Sequence, residues 1–510
     1  MKDEEVTMGW GKTHDWLAHR TAVTPDSTAL IEAGDGTEWT YADVDSSVEE
    51  TAGKLAGLGL RSGDHLGVLM ETRLASVLLV HAAMRLGCVL VPLNVRLAVP
   101  ELRRQVEHTD LSVLACEAET ETTARDISGT VPVVSVDVST DTTLSECERT
   151  EFDPMVWSRD DPQVMLFTSG TTGNPKAVVL TMGNLLASAT ASAFRLGVLP
   201  GDRWHLCLST YHMGGLAPLL RSTLYGTTVV LESGGGFVPE ETLTNVRTYD
   251  ATGISLVPTM LRRLLDADDS DGASRLDSLR FVLLGGAPAR KELIDKCETC
   301  GVPVCPTYGM TETASQIATA RPEEAFEHRG TVGRSLMFTD VTVIDDSGSP
   351  VQAGESGELV VAGPTVMAGY YGNRDATEDA FGEYGLYTGD IGYRDDTGRL
   401  WVLNRRSDRI VTGGENVHPG EVVTVLRDHP AIRDVAVVGI EDEEWGERIG
   451  ALVVPMADET VSLESVRAYC DGRLAGYKQP RLLEATDELP RTPSGTIDRE
   501  AVRERLRYDS

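Results

Sequence analysis

Leu166-Phe167-Thr168-Ser169-Gly170-Thr171-Thr172-Gly173-Asn174-Pro175-Lys176 joins two apolar runs, Val164 to Phe167 and Ala177 to Leu180, that read as short buried strands. Thr168 to Lys176 bring four hydroxyls, two glycines and a lysine. Glycine lets the backbone bend so that successive N–H groups face one concavity, a nest that binds anions. The hydroxyls add neutral donors, and Lys176 adds a mobile positive charge. Thr168, Ser169, Gly170, Thr171, Thr172, Gly173 and Lys176 are therefore candidate phosphate ligands. This is not a Walker A loop, because no Gly-x-x-x-x-Gly-Lys-Ser/Thr leads into a helix. The bland alternative is a polar hairpin turn.

On the N-terminal side, Tyr41 to Leu58 carries apolar residues at helical spacing, with Thr40 as a cap. Leu66 to Met70 reads as a strand, Arg73 to Leu86 as a helix and Cys88 to Val91 as the next strand. This rhythm implies right-handed crossovers and a parallel sheet. It resumes beyond the loop with a helix at Gly183 to Ala193, then strands at Trp204 to Leu208, Thr228 to Leu231, Gly253 to Val257 and Arg280 to Leu284. Around Val341 to Val361 the pattern turns to short strands with Gly and Asp turns, as in a small antiparallel barrel. The charged run Leu403 to Arg409, followed by Gly413-Gly414, marks a boundary. Beyond it lie helices at Gly420 to Arg427 and Leu463 to Leu474, and strands at Val435 to Gly439 and Gly450 to Val454. The expected fold is α/β. A large N-terminal domain (1–406) holds doubly wound sheets plus the small barrel, and a smaller mobile α/β domain (407–510) follows.

The formal net charge of −33 argues against nucleic acid or an anionic membrane as partner, since both would be repelled. Only seven lysines occur, and an acidic, lysine-poor surface fits adaptation to high salt or simply an acidic cytosolic protein. The acidic start lacks an apolar core, so no signal peptide is expected. Ser76 to Leu93, the most apolar window, is interrupted by His81 and Arg85, so no membrane span is expected either. Cys297-x-x-Cys300 lacks a second Cys/His pair at zinc-site spacing. A cytoplasmic location follows, and the oligomeric state stays open, a homodimer included.

Further stretches carry chemistry. His212 follows a strand and opens an apolar helix whose one charge is Arg221. If Arg221 points inward it needs an anion, because a buried unpaired charge is prohibitive; if not, it is a surface arginine. Gly285-Gly286-Ala287 ends a strand in a glycine turn, where ligands meet the carboxyl ends of parallel sheets. The next strand leads into Tyr308-Gly309-Met310-Thr311-Glu312, with a ring to stack on a base and a hydroxyl and carboxylate suited to phosphate and Mg2+. Asp390, after a tight turn, suits the hydroxyls of a ribose or a structural cap.

In this order the motifs resemble the adenylate-forming superfamily of acyl-CoA synthetases, luciferases and peptide-synthetase adenylation domains, and the resemblance covers nearly the whole chain. Within it, Leu284 to Pro288, Tyr308 to Thr313 continuing through Gln316, Arg405 to Asp408 and Gly413 to Pro419 are most similar to the o-succinylbenzoate–CoA ligases of menaquinone biosynthesis. The resemblance implies a small carboxylic acid, ATP, Mg2+ and coenzyme A, with an acyl-AMP intermediate and a thioester product. Thr168 to Lys176 would hold the β- and γ-phosphates, and Thr311 and Glu312 would serve phosphate and Mg2+. Gly285, Gly286, Ala287 and Tyr308 would frame adenine, Gly309 would belong to the same nucleotide site, and Asp390 and Arg405 would bind ribose. His212, Arg221, Gly286 and Ser315 would border the acid, Arg221 meeting its second carboxylate. Ser407 falls at the family's hinge.

One position departs. The family's terminal loop carries a lysine that bridges acid and α-phosphate, whereas Pro490 to Thr496 puts threonine there. Adenylation proceeds slowly without it, or Lys478 substitutes, or the first half-reaction is lost and the chain is a silent nucleotide-binding homologue. A medium-chain fatty-acid or aryl-CoA ligase would share every nucleotide motif, and a carrier-protein-loading enzyme is a more distant alternative.

Overall fold

The strands around the quoted stretch pair as an antiparallel hairpin, Pro162–Thr168 against Lys176–Thr181, with Thr168 opposite Lys176. This computed structural model describes residues 12–139, 142–168, 176–234, 236–268, 276–405, 410–412, 415–417, 419–442, 445–457, 459–471, 473–474, 476–492 and 497–508. Two compact units divide the chain, Met1–Val341 with Val361–Leu386, and Thr342–Val360 with Tyr387–Ser510. The boundary expected at 406/407 falls inside the second unit.

The hairpin belongs to a seven-stranded sheet ordered Gly369–Tyr370, Lys176–Thr181, Pro162–Thr168, Val89–Pro92, His65–Leu69, Val113–Cys116, Val133–Ser135. From Pro162–Thr168 onward its pairings are parallel. A second sheet has nine strands; the six from Val304–Tyr308 through Thr28–Glu32 are parallel and its edges antiparallel. Parallel strands are covered on both faces, which explains their continuous apolar runs. One core gathers Leu66 and Leu90 of the first sheet, Leu206 and Val229 of the second, and Val48, Met84, Leu185 and Leu216 of helices.

The helix Tyr41–Gly57 begins at Thr40 as expected, in a capping box with Asp43: the Asp43 N–H donates to Thr40 Oγ1 at 3.1 Å, and the Thr40 N–H to Asp43 Oδ2 at 2.9 Å. Arg85, inside the apolar helix Leu74–Leu86, is buried. It is paired with Asp15 at 3.3 Å, with Glu49 and with Asp45. Such pairing is what lets a core accept a charge. Among the described residues no helix is long and apolar enough to cross a membrane.

The strands expected around Val341 to Val361 belong to a five-stranded sheet ordered Asp340–Ile344, Gly357–Ala362, Gly385–Arg394, Phe381–Gly382, in which Gly385–Arg394 pairs antiparallel with Phe381–Gly382 and with Leu400–Arg405. The C-terminal part centres on the long hairpin Ile432–Asp442 and Gly446–Pro455, packed by the helices Pro419–Arg427 and Arg499–Tyr508. Leu463–Cys470 ends four residues short of the expected helix, because Asp471 turns extended at ψ 129°.

Candidate active site

Hairpin register sets Thr168 and Lys176 opposite each other, on the two strands that flank the candidate phosphate loop. Ser169, Gly170, Thr171, Thr172 and Gly173 lie outside the described residues. Lys176 Nζ sits 4.6 Å from the centre of the Tyr370 ring. The Tyr370 hydroxyl donates to Glu312 Oε1 at 3.1 Å. Lys176 and Glu312, far apart in sequence, thus meet around one aromatic ring.

Glu312 is buried on a single 3-10 turn, Thr311–Thr313. The Met367 N–H donates to its carbonyl at 2.8 Å. The Asn184 amide donates to the Pro364 and Val366 carbonyls, both at 2.8 Å, while its Oδ1 accepts from the Thr181 N–H. A helix cap therefore ties down the segment that carries Tyr370. Neither Asn184 nor Tyr370 was among the sequence candidates; the Thr-x-x-Asn spacing of a cap was the one visible signal for Asn184. Among the described residues no cluster of three or more His, Cys, Asp or Glu could hold a metal. A single buried carboxylate fits Mg2+ instead, which dehydrates reluctantly and is carried mainly by phosphate and water.

Gly285 to Ala287 and Tyr308 leave the second sheet at the same edge, since Phe281–Leu284 and Val304–Tyr308 are parallel neighbours. A Cβ on Gly285 would lie 2.8 Å from Thr307 Cγ2, and Gly286 has φ +77°, so both glycines are required. Past Tyr308 the chain reverses within a few residues. The Ile317 N–H donates to the Tyr308 carbonyl at 2.7 Å, and a Cβ on Gly309 would fall 1.7 Å from the Ser315 carbonyl oxygen. Ala314 (φ 52°) and Ser315 (φ 120°) hold strained left-handed backbone there.

His212 caps the helix Met213–Tyr225 and is exposed, yet its imidazole is held below the usual histidine range, by desolvation first and then by Arg96. Nine residues on, Arg221 is 3% exposed, which removes the surface reading. Its guanidinium lies 4.0 Å from the Trp204 ring centre, one Nη donates to Ser192 Oγ at 2.8 Å, and Nη2 has no partner among the described residues. Desolvation pushes its pKa down to about 10.

In the second unit, Asp390 and Arg405 stand directly opposite each other in antiparallel register. Asp390 is buried, and its N–H donates to Thr388 Oγ1 at 3.0 Å. Lys478 closes the turn Gly476–Lys478 and is half-buried. Ser407 and Thr496 lie outside the described residues. Cys297 is buried, its thiol pushed up to about 12 by desolvation, while Cys300 is exposed.

Residues 17–371 match the family described as AMP-binding enzyme, and residues 421–496 its C-terminal domain. The chain belongs to the AMP-binding enzyme family. It is 40% identical over 490 residues to the 2-succinylbenzoate–CoA ligase of Bacillus licheniformis, covering 95% of this chain and 98% of the relative. The o-succinylbenzoate CoA synthetase of Bacillus subtilis in complex with the acyl-adenylate intermediate superposes with a TM-score of 0.85 at 36% identity, covering 96% of this chain and 98% of that one. The same enzyme with ATP and magnesium ion superposes at 0.84 with 36% identity, covering 97% and 100%. The nucleotide motifs of this AMP-binding enzyme thus sit in a fold and chain length shared with acid–CoA ligases.

Proposed function

We propose that this AMP-binding enzyme is an ATP-dependent ligase joining o-succinylbenzoate to coenzyme A, in the cytoplasm and in menaquinone biosynthesis. A carboxylate oxygen attacks the α-phosphate, pyrophosphate leaves, and acyl-AMP results; the thiol of coenzyme A then attacks the acyl carbon and AMP leaves with its bonding pair. Such in-line displacement needs positioning and charge neutralisation more than covalent help. The observation that carries the reading is the meeting of Lys176 and Glu312 around Tyr370 at the base of a hydroxyl-rich loop.

Lys176 with Thr168 to Gly173 holds the β- and γ-phosphates, and Thr311 and Glu312 take phosphate and Mg2+. Gly285, Gly286, Ala287 and Tyr308 frame adenine, with Gly309 in the same nucleotide site, while Asp390 and Arg405 hold the ribose. His212, Gly286 and Ser315 border the acid. Arg221 neutralises the carboxylate that is not activated, a role supported by its burial and by an Nη2 without a partner among the described residues. A mobile domain (407–510) turning at Ser407 exchanges the two half-reactions, and Lys478 supplies the charge that Thr496 lacks.

Pyrophosphate release is measured with ATP, Mg2+ and o-succinylbenzoate, with and without coenzyme A, in high salt. Thioester formation supports the ligase and shows that Thr496 is tolerated; loss on Lys478→Ala then supports the substitute. Release only with aliphatic or benzoic acids moves the substrate to the fatty-acid or aryl class. Nucleotide binding with no release for any acid makes the chain a silent homologue, the reading Thr496 favours.

A further inference from the structure

Tyr370 is held with more bonds than a peripheral strand needs. Gly369–Tyr370 adds to the edge of the loop-bearing sheet, Val178 opposite Tyr370. The Ala368 N–H donates to Val179 at 3.0 Å and the Tyr371 N–H to Ala177 at 2.8 Å. The Tyr370 N–H donates to Thr377 Oγ1 at 2.9 Å, and that threonine donates in turn to the Asn373 carbonyl. Gly369, at φ +147°, comes so near that a Cβ would lie 2.7 Å from Thr377 Cγ2. With Asn184 on the other flank, the backbone that carries the ring is tied down on both sides.

The fixed ring does two things. Its hydroxyl donates to one oxygen of Glu312, which restricts the carboxylate to one orientation and leaves Oε2 to other ligands. Its face holds the Lys176 ammonium, a long side chain that otherwise samples many rotamers. We propose that Tyr370 is a positioning residue for the metal–phosphate site, orienting Glu312 through its hydroxyl and parking Lys176 on its ring until the nucleotide's phosphates take the lysine over. A cation–π contact is weaker than an ammonium–phosphate pair in the same place, so the hand-over is downhill. The inference rests on the roles given above to Lys176 and Glu312.

Binding of a non-hydrolysable ATP analogue, α,β-methylene-ATP, to the full chain is followed by calorimetry with Mg2+ and with EDTA, so turnover is not the readout. Tyr370→Phe keeps the ring and should lower affinity about tenfold with Mg2+ while leaving affinity in EDTA unchanged. Tyr370→Leu should in addition weaken binding in EDTA. Glu312→Gln should lower the Mg2+-dependent affinity, and adding Tyr370→Phe to it should cost nothing more, because the two act as a unit. Wild-type Mg2+ dependence in Tyr370→Phe, or additivity in the double variant, overturns the proposal. If Glu312→Gln itself leaves Mg2+-dependent binding intact, it is the assignment of Glu312 that fails.

Discussion

Arg221 separates a structural from a functional reading by its cost to the fold. A buried guanidinium with one Nη unpaired among the described residues destabilises the fold, so Arg221→Met should leave the melting temperature unchanged or raise it. The same variant should raise KM for o-succinylbenzoate about tenfold or more, since a neutral group no longer meets the second carboxylate. Benzoic acids, with one carboxylate, should be turned over no worse. A fall in stability with unchanged KM would make Arg221 a packing residue against Trp204. His81 gives a pH effect with a defined sign. It is fully buried beside Thr223, near Asp15 and Arg85, and desolvation lowers its pKa from 6.5 to about 4. Between those values the unfolded chain takes the proton and the folded one does not. Stability is therefore full above pH 6.5 and declines as pH falls toward 4, by roughly 2 kcal/mol between pH 7 and pH 5. Urea unfolding of His81→Leu at both pH values should show a smaller drop than wild type; an equal drop would place the acid sensitivity elsewhere.

The turn between Tyr308 and Ala318 shows how one element sets the site. In the proposed site, Thr311 and Glu312 would serve the phosphates only while Gly309 lets the chain pass under Ser315, where a methyl group would sit 1.7 Å from a carbonyl oxygen. Gly309→Ala must push this turn aside by more than an ångström, and pyrophosphate release should fall about a hundredfold. An unchanged rate would mean that the turn does not position Glu312. Such turns were legible because their signals are contiguous: a strand, then Gly, then the chemistry-bearing residues within six positions. The hairpin around Lys176, the Thr40 cap and the parallel strands were legible for the same reason, each being dictated by local spacing. Tyr370 and Asn184 were not, because they enter by packing, Tyr370 across 58 residues to Glu312 and Asn184 across 180 to Pro364. Nothing in Ala368-Gly369-Tyr370-Tyr371 distinguishes a site residue from an edge strand. The charge of Arg221 was visible, but its burial depended on Trp204 and Ser192 from two other elements.

At the scale of the whole molecule, 79 acidic against 46 basic residues set up a field opposed to the chemistry inside. ATP, a dicarboxylic acid and coenzyme A are all anions, and each must approach a chain of net charge −33. Close contacts such as Lys176 with a phosphate act over a few ångströms, whereas repulsion from the surface acts over tens. Salt tells these apart, because raising it from 0.1 M to 1 M shortens the screening length from about 10 Å to about 3 Å. Repulsion at long range is then removed while contact pairs in a desolvated site are largely spared. Rising KCl should therefore raise the thermal unfolding temperature by several degrees and lower KM for ATP together. Potassium chloride is preferred to sulfate, which strengthens apolar burial in any protein. An unfolding temperature that is flat or falls with KCl would mean that the acidic surface is not under repulsive load. A KM for ATP that rises while stability also rises would instead show that the approach of the nucleotide is governed by the local cations, with the global charge acting on the fold alone.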